Sequence, residues 1–121
     1  MRPHWMLAEL GLEYETREIL PRTPAMDDGD FKALNQRGKV PVFQQGEVVI
    51  GESGAIVLYL GEQHRDRANL LPLAGTIERA AFDDLFLFTL MELDAPLYVI
   101  RRHGGLPDAV SYTHLTLPTK A

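Results

Sequence analysis

Apolar positions change their period several times along this chain. Trp5, Met6, Leu7, Ala8 and Leu10 cluster between Pro3 and Gly11. This predicts an opening helix, because Pro suits a first turn and Gly accepts the left-handed conformation that ends one. Residues 14–20 then alternate, with Tyr14, Thr16 and Glu18 on one side and Glu15, Arg17 and Ile19 on the other. That period predicts a strand, ended by Pro21. From 22 to 36, Pro24, Gly29 and several charges mark a loop-rich connection with a short helical turn at 30–34. Val40, Val42 and Phe43, then Val48, Val49 and Ile50, are two β-rich runs around Gln44-Gln45-Gly46-Glu47. They predict a tight antiparallel hairpin. Gly51-Glu52-Ser53-Gly54 leads into AIVLYL, a helix for which Ser53 is the expected N-cap, since its hydroxyl can accept from first-turn N–H groups.

Residues 64–69 are polar, and Leu70-Leu71-Pro72 closes a first domain. Leu73-Ala74-Gly75 makes a short linker, after which Thr76 caps a helix with Glu78 in its first turn. Ile77, Ala81, Leu85 and Phe88 fall at helical spacing, as do Phe82, Phe86 and Leu90. An apolar girth of that width predicts burial on more than one side, and its aromatic stripe reads as core packing rather than a ligand box. Pro96 is expected to end or bend the helix, with apolar residues 97–100 continuing beyond it. Arg101, Arg102 and His103 then complement a helix C-terminus, and Gly104-Gly105 stops it.

The chemistry of the central stretch concerns an amino-acid head group. A helix N-terminus favours an anion, through unpaired N–H groups and the positive end of the dipole. Glu52 beside it is a natural partner for an ammonium. Read alone, Glu52-Ser53 is also an ordinary helix cap. Val40-Pro41 is the second feature. Pro lacks an N–H and is expected to open a strand rather than sit within one, and a cis bond would turn the Val40 main chain toward an extended peptide ligand.

The stretch NQRGKVPVF…GESGAIVLYL resembles the N-terminal, thioredoxin-like domain of soluble glutathione transferases, with its N-P-x-G-K-V-P, hairpin and E-S-x-A-I pattern. The likeness covers roughly residues 2–108. It implies an α/β fold: a thioredoxin-like domain lacking its first strand, followed by the first helix or two of an all-α domain. It implies a cis Val40–Pro41 bond, a Val40 main chain paired with the cysteinyl part of glutathione, and Glu52 and Ser53 holding the γ-glutamyl head. Val40, Pro41, Glu52 and Ser53 are therefore the expected glutathione-binding residues. Gln36 departs from the family's Pro, which bears on turn rigidity.

In that family the catalytic Ser, Tyr or Cys ends the first strand or opens the first helix. No residue here occupies that place, so the catalytic group is expected upstream of Met1, which then reads as an internal methionine used as a start. Tyr14 and Tyr59 are read as packing residues. The domain expectations are residues 1–72 for the truncated N-terminal domain, 73–110 for the start of the helical domain, and 111–121 for a non-native tail. The tail, SYTHLTLPTKA, resembles translated adapter sequence, against the alternative of a genuine disordered terminus.

Composition narrows the partners. The chain is 45% hydrophobic and 24% charged with a net charge of −5, as for a soluble globular protein, and no basic stripe suggests nucleic acid. It has no cysteine, so neither disulfides nor thiolate metal sites arise, and His4, His64, His103 and His114 lack metal-ligand spacing. No signal peptide or span-length apolar run is visible, and a cytoplasmic location follows as the default. The resemblance implies that glutathione is the co-substrate, a small electrophile the acceptor, and a homodimer the full-length assembly. The alternative is a non-catalytic interaction module of the same fold.

Overall fold

A computed structural model of the chain describes residues 2–21 and 23–104. Two compact units, Met1–Leu73 and Ala74–Ala121, divide the chain. The expected stop at Gly105, the end of the 73–110 segment and the expected tail at 111–121 lie outside the described residues.

The first unit holds three α-helices, a short 3-10 turn at Pro24–Asp27 and a hairpin. Helix α1 spans Arg2–Glu9 and ends as the sequence predicts, with Gly11 at φ 60°. Helix α2, Gly29–Leu34, is capped by Asp28, whose carboxylate accepts from the N–H groups of Asp30 and Phe31. Strands β1 (Phe43–Gln45) and β2 (Val48–Ile50) pair antiparallel with Gln45 opposite Val48. Gly46 and Glu47 alone make the turn, and Gly46 takes the positive φ, 57°, that tight hairpin turns need. The strands are thus displaced from the expectation: Val40 and Val42 precede the ladder, while Gln44 and Gln45 belong to it. Helix α3, Ser53–Gln63, packs on α1. Their shared core is Met6, Leu7, Leu10, Ile56 and Leu60, with Phe43 and Ile50 of the hairpin and Tyr59 packed against it.

Three further expectations need correction in this unit. Residues 14–20 form no strand; the described sheet has two strands only, β1 and β2. Alternation alone cannot make a strand, because the ladder's N–H and C=O groups require a neighbouring chain segment. Tyr14, expected to pack, is 46% exposed and meets the His4 ring edge-on at 5.4 Å. Ser53 is not the N-cap of α3. Glu52 holds that position without a side-chain cap bond, and Ser53 is the first helical residue.

The second unit begins with α4, Ile77–Phe88, which Thr76 caps by accepting from the Arg79 N–H at 3.1 Å. A π-helical segment, Thr89–Asp94, joins it to α5, Ala95–His103. Pro96 therefore does not end the helix. It sits at the first turn of α5, where a missing N–H is tolerated, and the wider π turn absorbs the misfit just before it. Burial of the apolar girth is a further correction: no described residue of this unit is buried. Phe82 and Phe86 stack on one another with centroids 5.5 Å apart, while Ile77 is 85% exposed.

Candidate functional site

The junction between β2 and α3 positions the candidate residues. The first helical hydrogen bond of α3 runs from the Ile56 N–H to the Glu52 carbonyl at 2.9 Å. The N–H groups of Ser53, Gly54 and Ala55 precede it and have no carbonyl partner within the helix, which leaves them for an anion. Glu52, in extended conformation at φ −105° and ψ 127°, turns its carboxylate into solvent beside them. Two opposite charges on one carbon would find complementary groups there.

Each of the two side chains is already met by an arginine. The Arg37 guanidinium donates to Glu52 Oε1 at 3.2 Å, with both side chains more than two-thirds exposed. Such an exposed pair is worth no more than about 1 kcal/mol, so a ligand's ammonium can take its place at small cost. Arg2 donates to Ser53 Oγ at 2.7 Å in a part-buried contact that joins the start of α1 to the start of α3. No local pattern signals that contact, which spans the unit.

Asn35 is the residue that sequence reasoning passed over. In the sequence it is no more than the first letter of the motif, yet it is the one buried polar side chain among the described residues, 8% exposed. Its amide donates to the Lys39 carbonyl at 2.6 Å and its side-chain oxygen accepts from the Arg37 N–H at 3.2 Å. Its own carbonyl accepts from the Gly38 N–H at 2.9 Å. A polar residue in an otherwise loop-like stretch is a signal only once burial is known, since burial obliges each group to find a partner.

The loop so closed delivers Val40 and Pro41. Their peptide bond is cis, as the resemblance implied. Val40 is 38% exposed, and it lies outside the Phe43–Gln45 ladder. An open depression of about 500 Å³ lies between Leu34–Arg37 and Val49–Glu52, with Ala55 at its edge. Glu52 lines it; Val40, Pro41 and Ser53 do not. The structure thus groups Glu52 with Asn35 and Arg37, and Ser53 with Arg2. Among the described residues no cluster of three metal-ligating side chains occurs, and no helix is long and apolar enough to cross a membrane.

Comparison with known proteins follows the same residues. The model of the glutathione S-transferase N-terminal domain matches residues 1–63, just over half of the chain. Glutathione S-transferase Z1 of Arabidopsis thaliana is 41% identical over 58 residues, covering 48% of this chain and 26% of that protein. The Z2 protein of the same plant is 39% identical over 54 residues, 45% of this chain and 24% of its own length. Among solved structures, the theta-class glutathione S-transferase of Xanthomonas axonopodis pv. citri with glutathione bound superposes with a TM-score of 0.68 at 33% identity, over 78% of this chain and 44% of that one. A poplar glutathione transferase F1 variant reaches a TM-score of 0.78 over 93% of this chain and 55% of its own, at 18% identity, a likeness of fold alone. The chain spans about a quarter of the curated relatives' length.

Proposed function

The chain belongs to the glutathione S-transferase family through its N-terminal domain, and from that premise we propose that its first unit binds glutathione at the β2–α3 junction. The fold is α/β, thioredoxin-like in its first part and helical in its second. Glutathione carries a γ-glutamyl head with one ammonium and one carboxylate. The ammonium goes to Glu52, and the carboxylate to the Ser53 hydroxyl and the first-turn N–H groups of α3. The cysteinyl main chain runs along Val40, presented by the turn at Pro41. The single observation that carries this reading is the adjacency of Glu52's solvent-facing carboxylate to the unpaired N–H groups at the start of α3.

Conjugation of the glutathione thiol to a small electrophile is the activity proposed for the whole protein. The thiolate is the reactive form of the sulfur; it attacks the electrophilic carbon, a C–S bond forms and a leaving group departs or the electrons pass to an acceptor atom. The group that holds the thiolate is not among the residues assigned here. Residues 1–72 are proposed as the glutathione-binding domain and 73–110 as the start of the helical domain, a reading supported by the division of the chain between Leu73 and Ala74. A homodimer and a cytoplasmic location complete the proposal, supported by the family resemblance.

Titration calorimetry of the 121-residue chain with glutathione tests the binding. Saturable one-site binding that weakens in both Glu52→Ala and Ser53→Ala is the expected result. Binding that is absent, or indifferent to both substitutions, overturns it.

A further inference from the structure

We infer that Arg2 is a positioning residue that sets the polarity of the head-group site, turning Ser53 into a donor so that the ligand's carboxylate, and not its ammonium, docks there. This rests on the glutathione reading above and adds to it a residue in α1, far from the motif. A hydroxyl has one proton and two lone pairs. Arg2 Nη1 donates into one of the Ser53 lone pairs at 2.7 Å, and a guanidinium has no acceptor to offer in return. The Ser53 proton must therefore point elsewhere. A charge-assisted bond into the oxygen also polarises the O–H and strengthens it as a donor. Ser53 thus presents a proton, backed by a positive charge, to whatever docks at the start of α3.

Glu52 next to it has the opposite character. An ionised carboxylate accepts only, and in the free protein it already accepts from a cation, Arg37. The two neighbouring residues are therefore assigned unlike partners: carboxylate on Ser53, ammonium on Glu52. The placement of Arg2 is not incidental to the fold. Arg2 opens α1, Ser53 opens α3, and the two helices are clamped by Met6, Leu7, Ile56 and Leu60 in a common core. The contact holds the two helix starts together where the ligand's head would lie.

The test compares three ligands by calorimetry on the 121-residue chain: glutathione, glutaryl-Cys-Gly, which lacks the ammonium, and 4-aminobutyryl-Cys-Gly, which lacks the carboxylate. Arg2→Met is expected to weaken glutathione and glutaryl-Cys-Gly by the same factor, about tenfold, the scale of a charge-assisted hydrogen bond, and to change 4-aminobutyryl-Cys-Gly less than twofold. Arg2→Lys should recover part of the loss. On a Ser53→Ala background, Arg2→Met should add less than a further twofold. Circular dichroism confirms that each variant is folded. An equal loss for all three ligands, or full additivity with Ser53→Ala, reveals a structural role only and overturns the inference. Wild-type binding that Arg2→Met leaves unchanged overturns the role of Arg2 but not the glutathione site. No wild-type binding of glutathione overturns both.

Discussion

The side-chain amide of Asn35 donates to the carbonyl of Lys39 at 2.6 Å, closing the loop that carries the chain into Val40 and Pro41. Because Asn35 is buried, this bond is not exchangeable with water at low cost. Replacing it by Ala leaves the Lys39 carbonyl and the Arg37 N–H without their partner, a loss of about 1–3 kcal/mol. Asn35→Ala is expected to lower the midpoint of urea unfolding accordingly and also to weaken glutathione, because Val40 is no longer held. Asn35→Asp keeps the acceptor for the Arg37 N–H but loses the donor, so it should fall on the same side as Ala. A stable Asn35→Asp variant with unchanged affinity would show that the Lys39 bond does not set the loop.

Glu52→Ala and Ser53→Ala should each reduce glutathione affinity by about 1–3 kcal/mol, the range for removing one partner of a bound polar group. Glu52→Ala should cost little stability, because the Glu52 side chain meets only an exposed Arg37. Ser53→Ala also removes the part-buried bond from Arg2 and should lower stability modestly, although Ser53 is not the cap of its helix. Affinity lost without stability lost in Glu52→Ala, read from calorimetry and denaturation together, distinguishes a ligand contact from a helix cap. Arg37→Ala makes a useful companion: by releasing Glu52 it should leave affinity unchanged or improve it slightly.

How much of this was legible in the sequence follows from the range of each signal. The α1 stop at Gly11, the hairpin turn at Gly46 and the Thr76 cap are set by residues within a few positions of one another, and the period and turn chemistry found them. The strand expected over residues 14–20 failed because alternation describes a surface and says nothing about a pairing neighbour. The Ser53 cap failed by one residue: Glu52 takes the extended conformation, and the Ser53 hydroxyl is held by Arg2, a partner 51 positions earlier. Asn35 was visible as a letter and invisible as a buried organiser. Contacts across the unit are what a linear pattern cannot carry.

Gly61 sits at a close approach inside the first unit. A Cβ there would lie 2.7 Å from Leu71 Cδ1, 2.8 Å from Leu71 Cγ and 2.9 Å from Met6 Cε. The Met6 methyl end can swing away, but Leu71 is itself buried, 2% exposed, and has little room. Gly61→Ala is expected to destabilise by about 1–3 kcal/mol, as overpacked cores do, despite the better helix propensity of Ala. Glutathione affinity should hold, since Gly61 is near the far end of α3 from Ser53. A thermal midpoint at or above wild type would mean that the core repacks freely around α3.

Arg65 fastens the chain that follows α3. Its guanidinium donates to Glu62 Oε2 at 2.7 Å, to the Leu71 carbonyl at 2.7 Å and to the Pro72 carbonyl at 2.8 Å. Only 22% of the side chain is exposed. A lysine also has three donors, but on a single nitrogen that cannot reach acceptors set around a planar fork, so Arg65→Lys should lose most of what Arg65→Met loses, about 1–3 kcal/mol in chemical denaturation. A lysine variant as stable as wild type would reduce Arg65 to a point charge.

Self-association of the chain is the last expectation, and it stems from the second unit. Ile77, Leu85, Met91, Leu97 and Ile100 are 85%, 64%, 64%, 65% and 60% exposed. Soluble monomers rarely leave so many large apolar side chains in water. Light scattering is expected to show a mass above that of one chain, rising with concentration. Replacing Leu85 and Met91 by Glu removes two side chains worth about 1.5–3 kcal/mol each on burial, which is on the order of a hundredfold or more in dissociation constant. That double variant should shift to a monomer while its glutathione titration stays as in wild type, because both substitutions lie in the second unit and every proposed glutathione contact lies in the first. A wild-type chain that stays monomeric at the highest concentrations reached, or a double variant that associates equally, would mean that these side chains are not the contact.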